Sequence, residues 1–76
     1  MARKVFNDVE AVSAVMPGEG GYSAAIAVKA HHAGGAPRFH RVLGDQKFKT
    51  AHDADHAAAE ELARLVDVDA DGELVF

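Results

Sequence analysis

Tyr22-Ser23-Ala24-Ala25-Ile26-Ala27-Val28-Lys29-Ala30 decides the fold. Period two divides it into Tyr22, Ala24, Ile26, Val28 and Ala30 on one side and Ser23, Ala25, Ala27 and Lys29 on the other. Successive side chains of a strand leave opposite faces, so this alternation is the signature of a half-buried strand. The first set carries the bulk and should face a core. The second set is small and would let another surface approach closely.

Upstream, Pro17-Gly18-Glu19-Gly20-Gly21 is a turn by chemistry, because proline presets φ and the glycines permit positive φ. Residues 5–16 read as a strand, with Val9, Ala11, Ser13 and Val15 on one side and Glu10, Val12 and Ala14 on the other. A helical reading of 8–15 survives beside it, since Val5, Val9, Val12 and Met16 also fit helical spacing. Downstream, His32-Ala33-Gly34-Gly35-Ala36-Pro37 is a second turn. Residues 38–43 form a third strand, Phe39, Arg41 and Leu43 alternating against Arg38, His40 and Val42. Gly44-Asp45-Gln46 bends the chain, and Lys47-Phe48-Lys49 drops Phe48 onto the core.

Thr50-Ala51-His52-Asp53 has the form of a capping box, with aspartate in place of the usual glutamate. Ala51, Ala54, Ala58, Leu62 and Leu65 then recur at helical spacing, which predicts a helix over 51–66 lying close to the sheet where its stripe is alanine. Residues 67–72 end it, and 73–76 can add a short edge strand. Strands joined by short turns make a meander. The expected fold is α+β: one domain over 1–76, a three-stranded antiparallel sheet with one C-terminal helix on one face.

Seventy-six residues without cysteine must hold together on a thin core, since a chain this short buries only about 60% of its unfolded surface. A second copy often completes such a core. Asn7, Asp8 and Glu10 interrupt the cationic start, which argues against a signal peptide. No run approaches a membrane span. The expectation is a soluble cytoplasmic protein, and the Ala, Asp, Val, Gly and His usage has a bacterial, GC-rich character.

Charge is sorted along the chain. Lys29, Arg38, Arg41, Lys47 and Lys49 stand against Asp45 alone between 29 and 49, and eight acids stand against Arg64 alone from Asp53 onward. If Lys29, Arg38, His40, Arg41, Lys47 and Lys49 shared the sheet face away from the helix, that face could meet an acidic protein surface or nucleic-acid phosphates. The net charge of −4 favours the protein partner. A solvated face is the plain alternative.

Gly21-Tyr22-Ser23-Ala24-Ala25-Ile26-Ala27-Val28, Arg38-Phe39-His40, and Lys47-Phe48-Lys49-Thr50 followed by Ala57-Ala58-Ala59 resemble small uncharacterised proteobacterial proteins, a domain of unknown function with a three-stranded sheet and one helix. The likeness covers residues 21–66. The layout is also similar to plant-type and integrase amino-terminal DNA-binding domains, which lay their sheet in the major groove. That likeness implies DNA contact by strand residues, although those families place Arg and Trp densely there and this chain has no Trp.

Asp67-Val68-Asp69-Ala70-Asp71-Gly72 matches the first half of a calcium loop, with Asp67, Asp69 and Asp71 as oxygen donors. The bidentate carboxylate that closes a standard loop falls beyond Phe76, so weak binding is the expectation. His52 and His56 are four apart on the helix, near Asp53 and Asp55, a spacing that suits a metal but implies no third ligand. His31-His32 invites the same caution. Gly18-Glu19-Gly20-Gly21 lacks the Gly-Lys-Ser/Thr of a nucleotide loop. The hydroxyls are Ser13, Ser23, Tyr22 and Thr50, too few to build a triad in a cleft. The expected function is a cofactor-free, non-enzymatic interaction module using the open sheet face. Its partner is a second copy or another protein, with nucleic-acid contact as the alternative.

Overall fold

The computed structural model describes residues 2–6, 8–30, 37–69 and 71–76. The elements are β1 (Arg3–Phe6), β2 (Val9–Gly18), β3 (Gly21–Ala30), β4 (Arg38–Arg41), α1 (Ala51–Arg64), β5 (Asp67–Val68) and β6 (Leu74–Val75). β1 to β4 form an antiparallel sheet in chain order, and β5 pairs with β6 in a second, two-stranded sheet. The class is α+β, as expected.

The main sheet has four strands rather than three. Phe6 pairs with Val9, so the stretch read as one strand is a hairpin with Asp8 in its turn. Asp belongs in tight turns because its side chain bonds nearby backbone. The glycine turn falls inside the expected stretch but is shorter: Pro17 and Gly18 belong to β2, Gly18 pairs with Gly21, and only Glu19 and Gly20 cross between the strands. The expected turn at 32–37 lies, apart from Pro37, outside the described residues, as does His31-His32. The C-terminal strand joins β5, not the edge of the main sheet.

The register sorts every side chain. Val9, Ala11, Ser13 and Val15 of β2 stand opposite Ala30, Val28, Ile26 and Ala24 of β3 on one face. α1 covers that face. Ala11, Ala24, Ile26, Val28 and Val42 pack with Ala58, Leu62, Leu65 and Val68. Alanine in the helix and in both strands lets the layers approach closely, so the core is thin, and partly buried Phe6 and Phe48 pack against it from opposite ends of the sheet.

Local chemistry fixes the helix ends. Thr50 is extended and its hydroxyl accepts from the Asp53 amide at 3.1 Å, the forward half of the expected box. The helix stops at Arg64, two residues short of expectation, because Leu65 turns extended while its amide still bonds the Leu62 carbonyl. Gly21 has φ 132°, and a Cβ there would run into the Phe48 carbonyl oxygen. The bare backbone allows the Tyr22–Phe48 bridge, closed by hydrogen bonds of 2.8 Å in both directions. Leu43, with φ 52°, carries the chain out of β4 in a left-handed conformation unusual for a branched apolar residue.

Candidate interaction face

The face away from α1 is a small grid. Arg3, Val12, Ala27 and Phe39 make one cross-strand row; Val5, Glu10 and Lys29 a second; Ala14, Ala25 and Arg41 a third; Met16 and Ser23 a fourth. Its middle is apolar and low. Ala25 and Ala27 are 0% and 5% exposed although they lie on the face away from α1. Phe39 and Val5 rise at opposite edges, 54% and 51% exposed. A trough of about 350 Å³ lies over β2 and β3 beside Phe39, lined by Val12, Ala14, Ala27, Pro37 and Phe39 with Glu10 and Lys29 at one end.

Charge frames this floor. Arg3 is ion-paired with Glu10 through Nε and Oε2, and Lys29 stands directly across from Glu10. Lys47 donates from Nζ to the Ser23 hydroxyl at 3.1 Å, closing the far corner. Lys29, Arg41 and Lys49 make no ion pair among the described residues.

The six basic positions singled out from the sequence do not share this face. Lys29 and Arg41 lie on it, and Lys47 reaches onto it through Ser23. Arg38 and His40 stand opposite Val28 and Ile26, on the helix side. The reason is parity. Phe39 and Val42 cannot both face the core, and Val42 does, 8% exposed and bonded through its amide to the Ala24 carbonyl at 3.0 Å. A shift of one residue moves every side chain of a strand to the other face. Lys49 is exposed beside the helix cap.

Arg38 and His40 are occupied by the acidic end of the same chain. Arg38 donates from Nη1 to the Asp71 carbonyl at 2.6 Å, with Nη2 3.8 Å from Glu73. His40 Nδ1 is also 3.8 Å from Glu73, and its Nε2 is buried without a hydrogen-bond partner. Gly72 takes φ 83°, and a Cβ there would come within 3.1 Å of Arg38 Nη1. Part of the sorted charge therefore joins β4 to the β5–β6 hairpin instead of making two free surfaces. The basic cluster is thereby divided between the two faces of the sheet.

The other candidates also find local roles. Asp67 Oδ1 accepts from the Val68 amide, and Asp69 Oδ1 accepts from the amides of Asp71 and Glu73, each near 2.9 Å. Asp67 and Asp69 thus bond the backbone of the β5–β6 hairpin. Among the described residues no three acidic or imidazole side chains converge on one point. His52 is exposed, and His56 lies 3.5 Å from Glu60 along the helix. Asp55, which the sequence placed near the histidines, turns to the sheet and accepts from the buried Ser13 hydroxyl at 2.8 Å. No helix among the described residues is long and apolar enough to cross a membrane.

Sequence reasoning missed Phe39, Val5 and Arg3 as parts of the open face. Their signal was present: once Asn7-Asp8 is read as a turn, Val5 changes side, and once Val42 is placed in the core, Phe39 must leave it. Comparison with known protein families, with curated proteins and with solved structures finds no match to this chain.

Proposed function

We propose that this chain is a non-enzymatic interaction module that docks a polypeptide on the open face of its sheet. The observation that carries the reading is an apolar floor framed by charge. Ala14, Ala25 and Ala27 lie between an exposed Phe39 and an exposed Val5, with Arg3, Glu10, Lys29 and Arg41 around them. A solvated face would carry polar side chains along its middle. A contiguous apolar patch with a polar rim is the anatomy of a contact surface.

The hydroxyls support the same reading. Ser13 is buried under the helix with Asp55, Ser23 accepts from Lys47, and Thr50 caps α1. All three are engaged in holding the fold, which argues for recognition over nucleophilic catalysis.

The test is a photoreactive phenylalanine analogue installed at Phe39 and, separately, at His56 on the outer face of α1. Irradiation in the cells that make the protein should give one adduct of discrete mass from position 39 and none from position 56. No adduct at 39, or the same smear from both positions, overturns the reading.

A further inference from the structure

We infer that the occupant of the open face is a second copy of this chain, related by a two-fold axis running along the strands between β2 and β3. The inference rests on the docking reading above and adds the partner to it. The face is complementary to itself in charge and in shape.

A rotation of a half-turn about that line exchanges β2 with β3 and β1 with β4 while keeping position along the strands. Glu10 of one copy then comes to the partner's Lys29, and Lys29 to the partner's Glu10, because these two residues are direct cross-strand neighbours on either side of the line. In the next row Val12 meets the partner's Ala27, and Arg3 meets the ring of the partner's Phe39. A guanidinium over an aromatic face is an attractive contact. In the third row Ala14 falls over the partner's Ala25, which is already covered within its own chain, so this row adds little contact and no obstruction. Glu10 and Lys29 thus find opposite charges across the axis, and Arg41 projects past the edge to solvent. A two-fold axis across the strands does worse. It sets Glu10 and Lys29 over the Met16–Ser23 row and leaves both charges without an opposite.

Aligned packing of two twisted sheets at about −30° is the common face-to-face arrangement, and a two-fold interface uses the same patch on both partners. The product is a four-layer assembly, helix, sheet, sheet, helix, in which Phe39 and Val5 leave solvent.

The experiment measures mass in solution by sedimentation, from about 1 μM to about 1 mM, for the full chain and for Glu10→Lys and Lys29→Glu. Each substitution places like charges opposite each other across the proposed axis, so each variant alone should weaken self-association by roughly tenfold or more. The wild type should reach twice the 8.0 kDa chain mass. An equimolar mixture of the two variants should recover that doubled mass, because the all-cationic face of one meets the all-anionic face of the other. Phe39→Ala, at an exposed position, should weaken association with the fold's circular dichroism unchanged, which guards against misfolding of the charge variants. A wild type that stays at one chain mass throughout overturns the inference. So do single variants that dimerise as well as the wild type, or a mixture that does not recover.

The photo-adduct from position 39 separates this failure from that of the docking reading. An adduct of two chain masses agrees with the second copy. A discrete adduct of another mass, with a monomeric wild type, removes the second copy and keeps the docking face. No adduct removes both.

Discussion

Lys4 and Arg38 stand at the two ends of one row across the sheet, Lys4–Ala11–Val28–Arg38, and each reaches from the helix side to hold a different C-terminal element. Lys4 donates from Nζ to the carbonyls of Leu65 at 2.7 Å and Ala63 at 3.4 Å. Arg38 bonds the Asp71 carbonyl of the small hairpin. The last carbonyls of a helix have no partner within it and carry its negative dipole end, so a lysine from the sheet edge satisfies both needs. Lys4→Met keeps most of the apolar stem that lies beside Phe6, 5.6 Å from Nζ to ring centroid, and removes the charge. It should cost about 1 kcal/mol in urea unfolding. Arg38→Met should leave α1 intact and loosen only β5–β6, seen as faster amide exchange at Val66, Asp69 and Gly72. Equal loss of protection throughout the chain in both variants would contradict this division.

Ser13 connects three segments. Its hydroxyl accepts from the Ala2 amide at 2.9 Å and donates to Asp55 at 2.8 Å, at a position only 1% exposed. Ser13→Ala removes an acceptor and a donor together and should cost about 1–3 kcal/mol. Ser23→Ala, at an equally buried position on the other face, gives up one bond to the exposed Lys47 and should cost under about 1 kcal/mol. Thermal unfolding of both variants decides the order.

What the sequence made legible follows from how many residues vote on each element. β3 announces itself because its alternation is long and a parity error would bury Lys29. The helix is equally plain from Thr50 and from the spacing of Ala54, Ala58, Leu62 and Leu65. The first hairpin was hidden because Val5 and Val9 share a parity in a continuous strand and lose it only when Phe6 pairs with Val9. β4 was ambiguous for the opposite reason. It is four residues long, and Phe39 and Val42 make rival claims on the core. Counting cations along the chain could not show that Arg38 and His40 face the acidic hairpin, since that pairing depends on β4's parity and on where the chain goes after Leu65.

Gly21 and Gly20 separate steric need from conformational need. Both take positive φ, 132° and 82°. A Cβ at Gly20 meets nothing within 4 Å, whereas at Gly21 it meets the Phe48 carbonyl oxygen. Gly20→Ala should therefore cost about 1 kcal/mol, the left-handed penalty alone. Gly21→Ala must also break the Tyr22–Phe48 bridge and should cost about 2–4 kcal/mol. Near-equal melting temperatures for the two variants would mean that the bridge contributes little.

Asp69 gives the clearest way to tell a turn-forming carboxylate from a metal ligand. One oxygen, Oδ1, accepts from two backbone amides, Asp71 at 2.9 Å and Glu73 at 2.9 Å, while the Asp69 amide bonds the Glu73 carbonyl at 3.0 Å. An asparagine side chain retains an oxygen in that place, and an alanine does not. Asp69→Asn should leave stability within about 0.5 kcal/mol, and Asp69→Ala should cost about 1–2 kcal/mol and release the hairpin first. A calcium role reverses this order of importance, because hard-cation binding depends on carboxylate charge. Calcium titrated to about 10 mM, above the weak extracellular-module range, should leave the amides of Asp69, Asp71 and Glu73 unshifted in the wild type. A saturable shift that Asp69→Asn abolishes would restore the cation site and show that the turn geometry yields to the metal.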